Sequence, residues 1–237
     1  MFKQKNPIQT KSKTLARKLI TVKNPKAVVS EQFKTIRTNI NFSMPDQDIK
    51  SIVVTSSTPG EGKSTISSNS AVVFAQSGKK VLLVDGDMRK PTAHHTFGIA
   101  NAAGLSTVLT RQQTVDQVVY KSEIEGLHVI TSGPIPPNPA ELLGSKMMEQ
   151  LITQLTEQYD LVIFDAPPIL SVTDAQILAN KCQGTILVVN SGTAEKEGVL
   201  KAKEALVASK ANILGVVLNN YVLEKDHYYY QYYGNAE

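Results

Sequence analysis

Apolar residues along this chain fall into two alternating patterns. Short solid runs lie at 52–55, 81–84, 127–130, 161–164, 185–189 and 213–218. Between them run longer stretches whose apolar positions recur every three or four residues. Solid runs of this length predict strands buried on both faces, and the spaced stretches predict amphipathic helices. A helix is expected over 30–41, with Ser30 as N-cap and Phe33, Ile36 and Ile40 on its apolar face. Others follow over 64–76, closed by Gly78, over 140–159, with Leu142, Leu143, Met147, Leu151 and Leu155 as the stripe, and over 174–180 and 195–209. A strand, a glycine-containing loop, a helix and a second strand over 52–84 form a βαβ unit, which implies parallel strands. Continued alternation predicts an α/β fold, a parallel sheet flanked by helices on both faces. His94 and His95 fall in a loop, and two neighbouring imidazoles do not make a metal site.

Composition narrows the function classes. The 237 residues suit one α/β domain with one large core; 41% hydrophobic and 19% charged residues are ordinary for a globular protein. No apolar run approaches the ~20 residues of a membrane helix, and the N-terminus lacks a signal peptide's apolar stretch. The single cysteine, Cys182, excludes an internal disulfide and fits a reducing cytoplasm. The net charge of +4 is unevenly placed. Residues 1–26 hold eight basic residues and no acidic one, leaving 17 basic against 21 acidic in the rest, a net of −4. The body thus lacks the basic excess that nucleic-acid binding requires. The leader reads either as a solvated arm or as a segment drawn to an anionic membrane surface. The expected layout is a basic flexible leader (1–29), a catalytic domain (30–223) and a flexible tyrosine-rich tail (224–237).

Candidate chemistry sits at the ends of the expected strands. Ser57-Thr58-Pro59-Gly60-Glu61-Gly62-Lys63-Ser64-Thr65 lies between strand and helix, where a phosphate loop belongs; Ser57 stands where the usual pattern has its first glycine. Gly60 and Gly62 permit turns that aim backbone N–H groups at phosphate oxygens, and the helix N-terminus adds positive charge. Lys63 would reach the β- and γ-phosphates of ATP and Ser64 would ligate Mg²⁺. The expected nucleotide contacts are Pro59 to Thr65, which makes the fold a P-loop NTPase-type sheet. Two strands end in carboxylates, Val84-Asp85-Gly86-Asp87 and Phe164-Asp165. If the chain stays extended, Asp85 and Asp87 face the same side. Beside the loop, Asp85, Asp87 and Asp165 are expected to serve metal binding and catalysis as a group.

Together these motifs resemble the bacterial tyrosine kinases of capsule and exopolysaccharide operons, in their Gram-positive form. The likeness also covers Gly133-Pro134-Ile135-Pro136-Pro137-Asn138-Pro139 and the tail Tyr228-Tyr229-Tyr230-Gln231-Tyr232-Tyr233, which carries five of the eight tyrosines. The resemblance implies an ATP-dependent kinase that phosphorylates Tyr228, Tyr229, Tyr230, Tyr232 and Tyr233 in trans. It further implies Lys63, Asp85 and Asp87 as catalytic residues, with Asp85 the general base, and Ser64, Asp85 and Asp165 as metal ligands. Asn219 matches the place of an adenine-reading asparagine. Glu31, Lys34 and Arg37 match a motif that joins subunits into a ring, with lysine where the family has its middle arginine. The resemblance also implies a separate transmembrane activator, protein-tyrosine substrates, a phosphatase and recruitment to the inner face of the cell membrane. The rival from the same fold is a positioning ATPase of the ParA and MinD kind. Those proteins carry a second lysine early in the loop, where this chain has Thr58.

Overall fold

The computed structural model describes residues 19–45 and 48–222. In chain order it contains α1 (Ile20–Lys23), α2 (Val28–Phe42), β1 (Ser51–Ser56), α3 (Lys63–Ala75), β2 (Val81–Asp85), α4 (Ala93–Phe97), α5 (Leu105–Leu109), α6 (Val115–Val118), β3 (Val119–Lys121) and β4 (Leu127–Ile130). There follow α7 (Pro139–Gly144), α8 (Lys146–Gln158), β5 (Leu161–Asp165), α9 (Asp174–Lys181), β6 (Gly184–Asn190), α10 (Lys196–Ala208) and β7 (Ile213–Asn219). The seven strands form one sheet in the order β3-β4-β2-β5-β1-β6-β7. Every neighbouring pair is parallel except the edge pair β3–β4.

Side chains two apart on a strand share a face, and here they divide the interior into two cores. Ile52, Val54, Val81, Leu83, Leu161 and Ile163 pack with α2, α3 and α4. Val53, Leu82, Val84, Val162 and Phe164 pack with α5 to α10 on the other side. Helix α3 is buried from Ile66 through Ala75, all the way round. It lies between the sheet and α1–α2, so it has no solvent face and needs no amphipathic period.

Several expectations change. Ser30 is not the N-cap of α2: Ala27 holds that position, and Ser30 lies in the first turn with its hydroxyl donating to the Asn24 carbonyl at 2.6 Å. The helix expected over 140–159 is two helices, broken where Ser145 leaves helical geometry (ψ 157°) and caps α8 through its hydroxyl on the Met148 N–H, 3.3 Å away. His94 and His95 lie in the short helix α4, not in a loop. The leader expected to be flexible through residue 29 instead forms α1 at Ile20–Lys23 and enters α2 at Val28, although most of residues 22–29 stay exposed. Leu19 is buried, and Thr21 reaches the side-chain oxygen of Asn69 with both its N–H (3.2 Å) and its hydroxyl (2.8 Å). Residues 1–18 and the tail from 223, with Tyr228, Tyr229, Tyr230, Tyr232 and Tyr233, lie outside the described residues. Cys182 is buried, as a small apolar residue would be.

Candidate active site at the phosphate loop

The loop leaves β1 after Ser56 and enters α3 at Lys63. Gly60 (φ +89°) and Gly62 (φ +95°) both adopt the left-handed conformation that glycine alone takes without strain. Thr58, Pro59 and Gly60 are exposed, while Gly62, Lys63 and Ser64 are half-buried at the mouth. The N–H groups of Lys63, Ser64 and Thr65 head α3, where no intrahelical carbonyl can receive them. The Ile66 N–H closes the first turn on the Gly62 carbonyl at 3.0 Å.

Glu61 is nearly inaccessible (1% exposed) because its carboxylate folds inward. It accepts the Ser57 hydroxyl at 2.7 and 2.9 Å and the Thr58 N–H at 2.9 Å. Its carbonyl oxygen accepts the amide of Asn219, from the end of β7, at 2.9 Å. Asn219 therefore lies against the crest of the loop, with its amide nitrogen engaged by the backbone.

The carboxylates arrive from β2 and β5, which lie side by side with Asp85 opposite Asp165. Lys63 Nζ sits 2.9 Å from Asp87 Oδ2, 3.5 Å from Asp165 Oδ1 and 3.4 Å from Ser64 Oγ. The Ser67 hydroxyl donates to Asp165 Oδ1 at 3.2 Å, and the Ser64 hydroxyl bonds to Asp165 as well. Asp85 and Asp87 do not share a strand face. β2 ends at Asp85, and the backbone turns so that the Asp87 N–H comes back onto Asp85 Oδ1 at 3.2 Å. Asp85 Oδ2 accepts the N–H groups of Thr92 and Ala93, both at 2.9 Å, at the head of α4. Asp87, released by the turn, meets Lys63.

These environments set the charges. Burial is the strongest influence on Asp85, and with the nearby Asp165 carboxylate it pushes the group up to about 7, against the pull of the two N–H donors. Burial also raises Asp165, opposed by Lys63 and the Ser64 hydroxyl. For Lys63 burial is again the largest influence and acts downward. The carboxylates of Asp165 and Asp87 outweigh it, so the ammonium ends above its ordinary range.

Among the described residues no group of three or more His, Cys, Asp or Glu side chains forms a metal cage. Mg²⁺ at a nucleotide takes one or two carboxylates and completes its shell with phosphate oxygens and water. The hydroxyl of Ser64 beside Asp165 is a hard-oxygen pair of that kind.

Residues outside the loop have different surroundings. Arg89 forms a two-pronged ion pair with Asp174 (Nε–Oδ2 2.9 Å, Nη2–Oδ1 3.0 Å), and Asp174 is fully buried at the start of α9. Arg89 thus fixes α9 to the loop after β2. On α2, Lys34 pairs with Glu31 at 2.7 Å on the surface, whereas Arg37 donates to the Val73 carbonyl of α3 at 2.9 Å. Reading the sequence missed Ser57, Ser67 and Asp174. Only the serine in place of the loop's first glycine left a trace in the pattern.

Comparison with known proteins agrees with this geometry. The AAA domain family matches residues 49–213. Tyrosine-protein kinase YwqD of Bacillus subtilis is 52% identical over 223 residues, covering 94% of each chain. The chimerical protein CapA2B2 superposes with a TM-score of 0.85 at 47% identity, over 87% of this chain and 91% of that one. The kinase domain of the Escherichia coli tyrosine kinase ETK gives 0.81 at 33% identity, over 87% and 82%. The cell division ATPase MinD of Pyrococcus furiosus gives 0.64 at 25% identity, over 74% of each chain, so the positioning-ATPase reading is the weaker. With the phosphate loop, the paired strand-end carboxylates and these relatives in agreement, the chain belongs to the bacterial tyrosine-protein kinases.

Proposed function

We propose that this kinase transfers the γ-phosphoryl group of Mg-ATP to Tyr228, Tyr229, Tyr230, Tyr232 and Tyr233 of a neighbouring copy, and through that cycle regulates capsular or exopolysaccharide synthesis and export. The observation that carries the reading is Lys63 held between Asp87 and Asp165 at the mouth of the loop. In the working complex Lys63 would turn from Asp87 to the β- and γ-phosphates, and Ser64 and Asp165 would hold the metal. Mg²⁺ supplies charge neutralisation at the phosphates. Asp85 accepts the phenol proton; its value of about 7 is matched to proton transfer near neutral pH, and its bonds to Thr92 and Ala93 fix its direction. Asp87, once free of Lys63, completes the acidic group.

The relatives support partners as well. A separate transmembrane activator is part of this proposal, in keeping with the fused CapA2B2 chain, as are protein-tyrosine substrates and a phosphatase. Among the described residues no helix is long and apolar enough to cross a membrane, so the basic leader and the activator are the proposed means of recruitment to its inner face. Subunits are proposed to meet in a ring through Glu31, Lys34 and Arg37.

The test is a phosphotyrosine map by mass spectrometry after incubation with Mg-ATP and an activator fragment. Label should concentrate at the five tail tyrosines. Lys63→Met should reduce it by about a thousandfold or more while the circular dichroism spectrum stays unchanged. Label on serine or aspartate, or none in the tail, sinks the proposal.

A further inference from the structure

The phosphate loop carries a buried carboxylate beside a site built for anions. Negative charge at such a place weakens phosphate binding unless it is turned away and bonded. Both conditions hold for Glu61. Its oxygens point inward onto the Ser57 hydroxyl and the Thr58 N–H, and its carbonyl is held by Asn219 across the crest. Residue 61 is thus fastened at side chain and main chain, and Gly62 follows directly.

We infer that the Ser57–Glu61 pair is a clamp that holds the phosphate loop in its binding shape before nucleotide arrives, with Glu61 a positioning residue rather than a phosphate ligand. The serine that displaces the first glycine of the loop pattern supplies the hydroxyl the clamp needs, so the departure from that pattern and the buried glutamate form one device. A loop already ordered loses less freedom on binding, and that difference enters affinity directly. The glycines keep the crest pliable enough to take its shape; the clamp selects the shape. The inference rests on the nucleotide reading above, and its test separates the two.

The experiment is a titration of the full chain with a fluorescent ADP analogue and Mg²⁺, in parallel with the KM for ATP and kcat of autophosphorylation. Glu61→Ala should weaken binding about tenfold, the loss expected when the hydrogen bonds that hold the loop's shape are removed. KM should rise to match, with kcat at saturating ATP unchanged. Glu61→Gln keeps an oxygen for Ser57 and Thr58 and should stay within about twofold of the parent. Failure of that rescue would show that charge, not shape, matters, and would overturn the clamp. Equal or tighter binding by Glu61→Ala would overturn it too, because a clamp that must open to admit nucleotide gives tighter binding when removed. If Glu61→Ala does not fold, Ser57→Ala removes the hydroxyl alone and carries the same expectation. No binding by the parent chain would instead defeat the nucleotide reading itself.

Discussion

The phosphate loop and the α1–α2 segment both press on α3, the first at its N-terminus and the second along its flank. They are built in opposite ways. In the loop, Ser57 and Glu61 are four positions apart and Thr58 and Glu61 three, and two adjacent glycine turns give the rest of the shape. In the α1–α2 segment, Thr21 finds Asn69 across 48 positions and Arg37 finds Val73 across 36. The loop's geometry is carried by a local pattern, whereas the segment's is carried by what it lies against. The two regions meet, since the Asn69 amide that serves Thr21 also donates to the Thr65 carbonyl in the first turn of α3, at 2.9 Å. The segment read as a leader and ring motif thus also braces the helix that presents Lys63.

The sharpest way to break this contrast is within the loop. A Cβ at Gly62 would lie 2.2 Å from the Asn219 amide nitrogen, at a φ of +95° that side chains avoid. Gly62→Ala should therefore cost about 3 kcal/mol of stability and abolish nucleotide binding. Gly60→Ala is the control: its φ is +89° but nothing lies within 4 Å, so only backbone strain applies, about 1 kcal/mol. Chemical denaturation of both variants decides it. Equal losses would mean that the Asn219 contact is not rigid.

The same contrast explains what the sequence revealed. Strands β1, β2, β4, β5 and β6 were legible because parallel strands buried on both faces have no polar face, so their apolar runs are unbroken. By contrast β3, a three-residue exposed antiparallel edge, left no such run. Lys63 and Asp165 were legible because strand ends beside a glycine loop admit few alternatives. The break at Ser145 was hidden because Leu143, Met147, Leu151 and Leu155 all pack on one core, so the four-residue rhythm continues across it. The parting of Asp85 and Asp87 was hidden because an aspartate turn, not a strand, follows β2. The Arg89–Asp174 pair joins residues 85 positions apart, beyond any local pattern. The packing of Leu19 and Thr21 was masked by the basic residues around them.

Single hydrogen bonds across the flank should have smaller effects. Thr21→Val keeps the shape and removes the hydroxyl from Asn69; Arg37→Ala leaves the Val73 carbonyl near the end of α3 without its donor. Each should cost about 1 kcal/mol, read as a fall in the denaturation midpoint at unchanged slope. An unchanged midpoint for Thr21→Val would mean that α1 does not brace α3 in solution.

Lys34→Ala should have the smallest effect on the single subunit and is the most informative about the segment's second role. Lys34 and Glu31 are both exposed, and such a pair on a helix surface contributes about 0.3 kcal/mol. Arg37 is in addition tied to Val73 of its own subunit, so its loss should register in dilute protein as well. If Glu31 and Lys34 join subunits, Lys34→Ala should leave dilute protein almost unaltered and lower the association seen by sedimentation velocity at high concentration. A stability loss that is large and independent of concentration would assign Lys34 to the fold instead. The proposed ring contact would then have to rest on other residues.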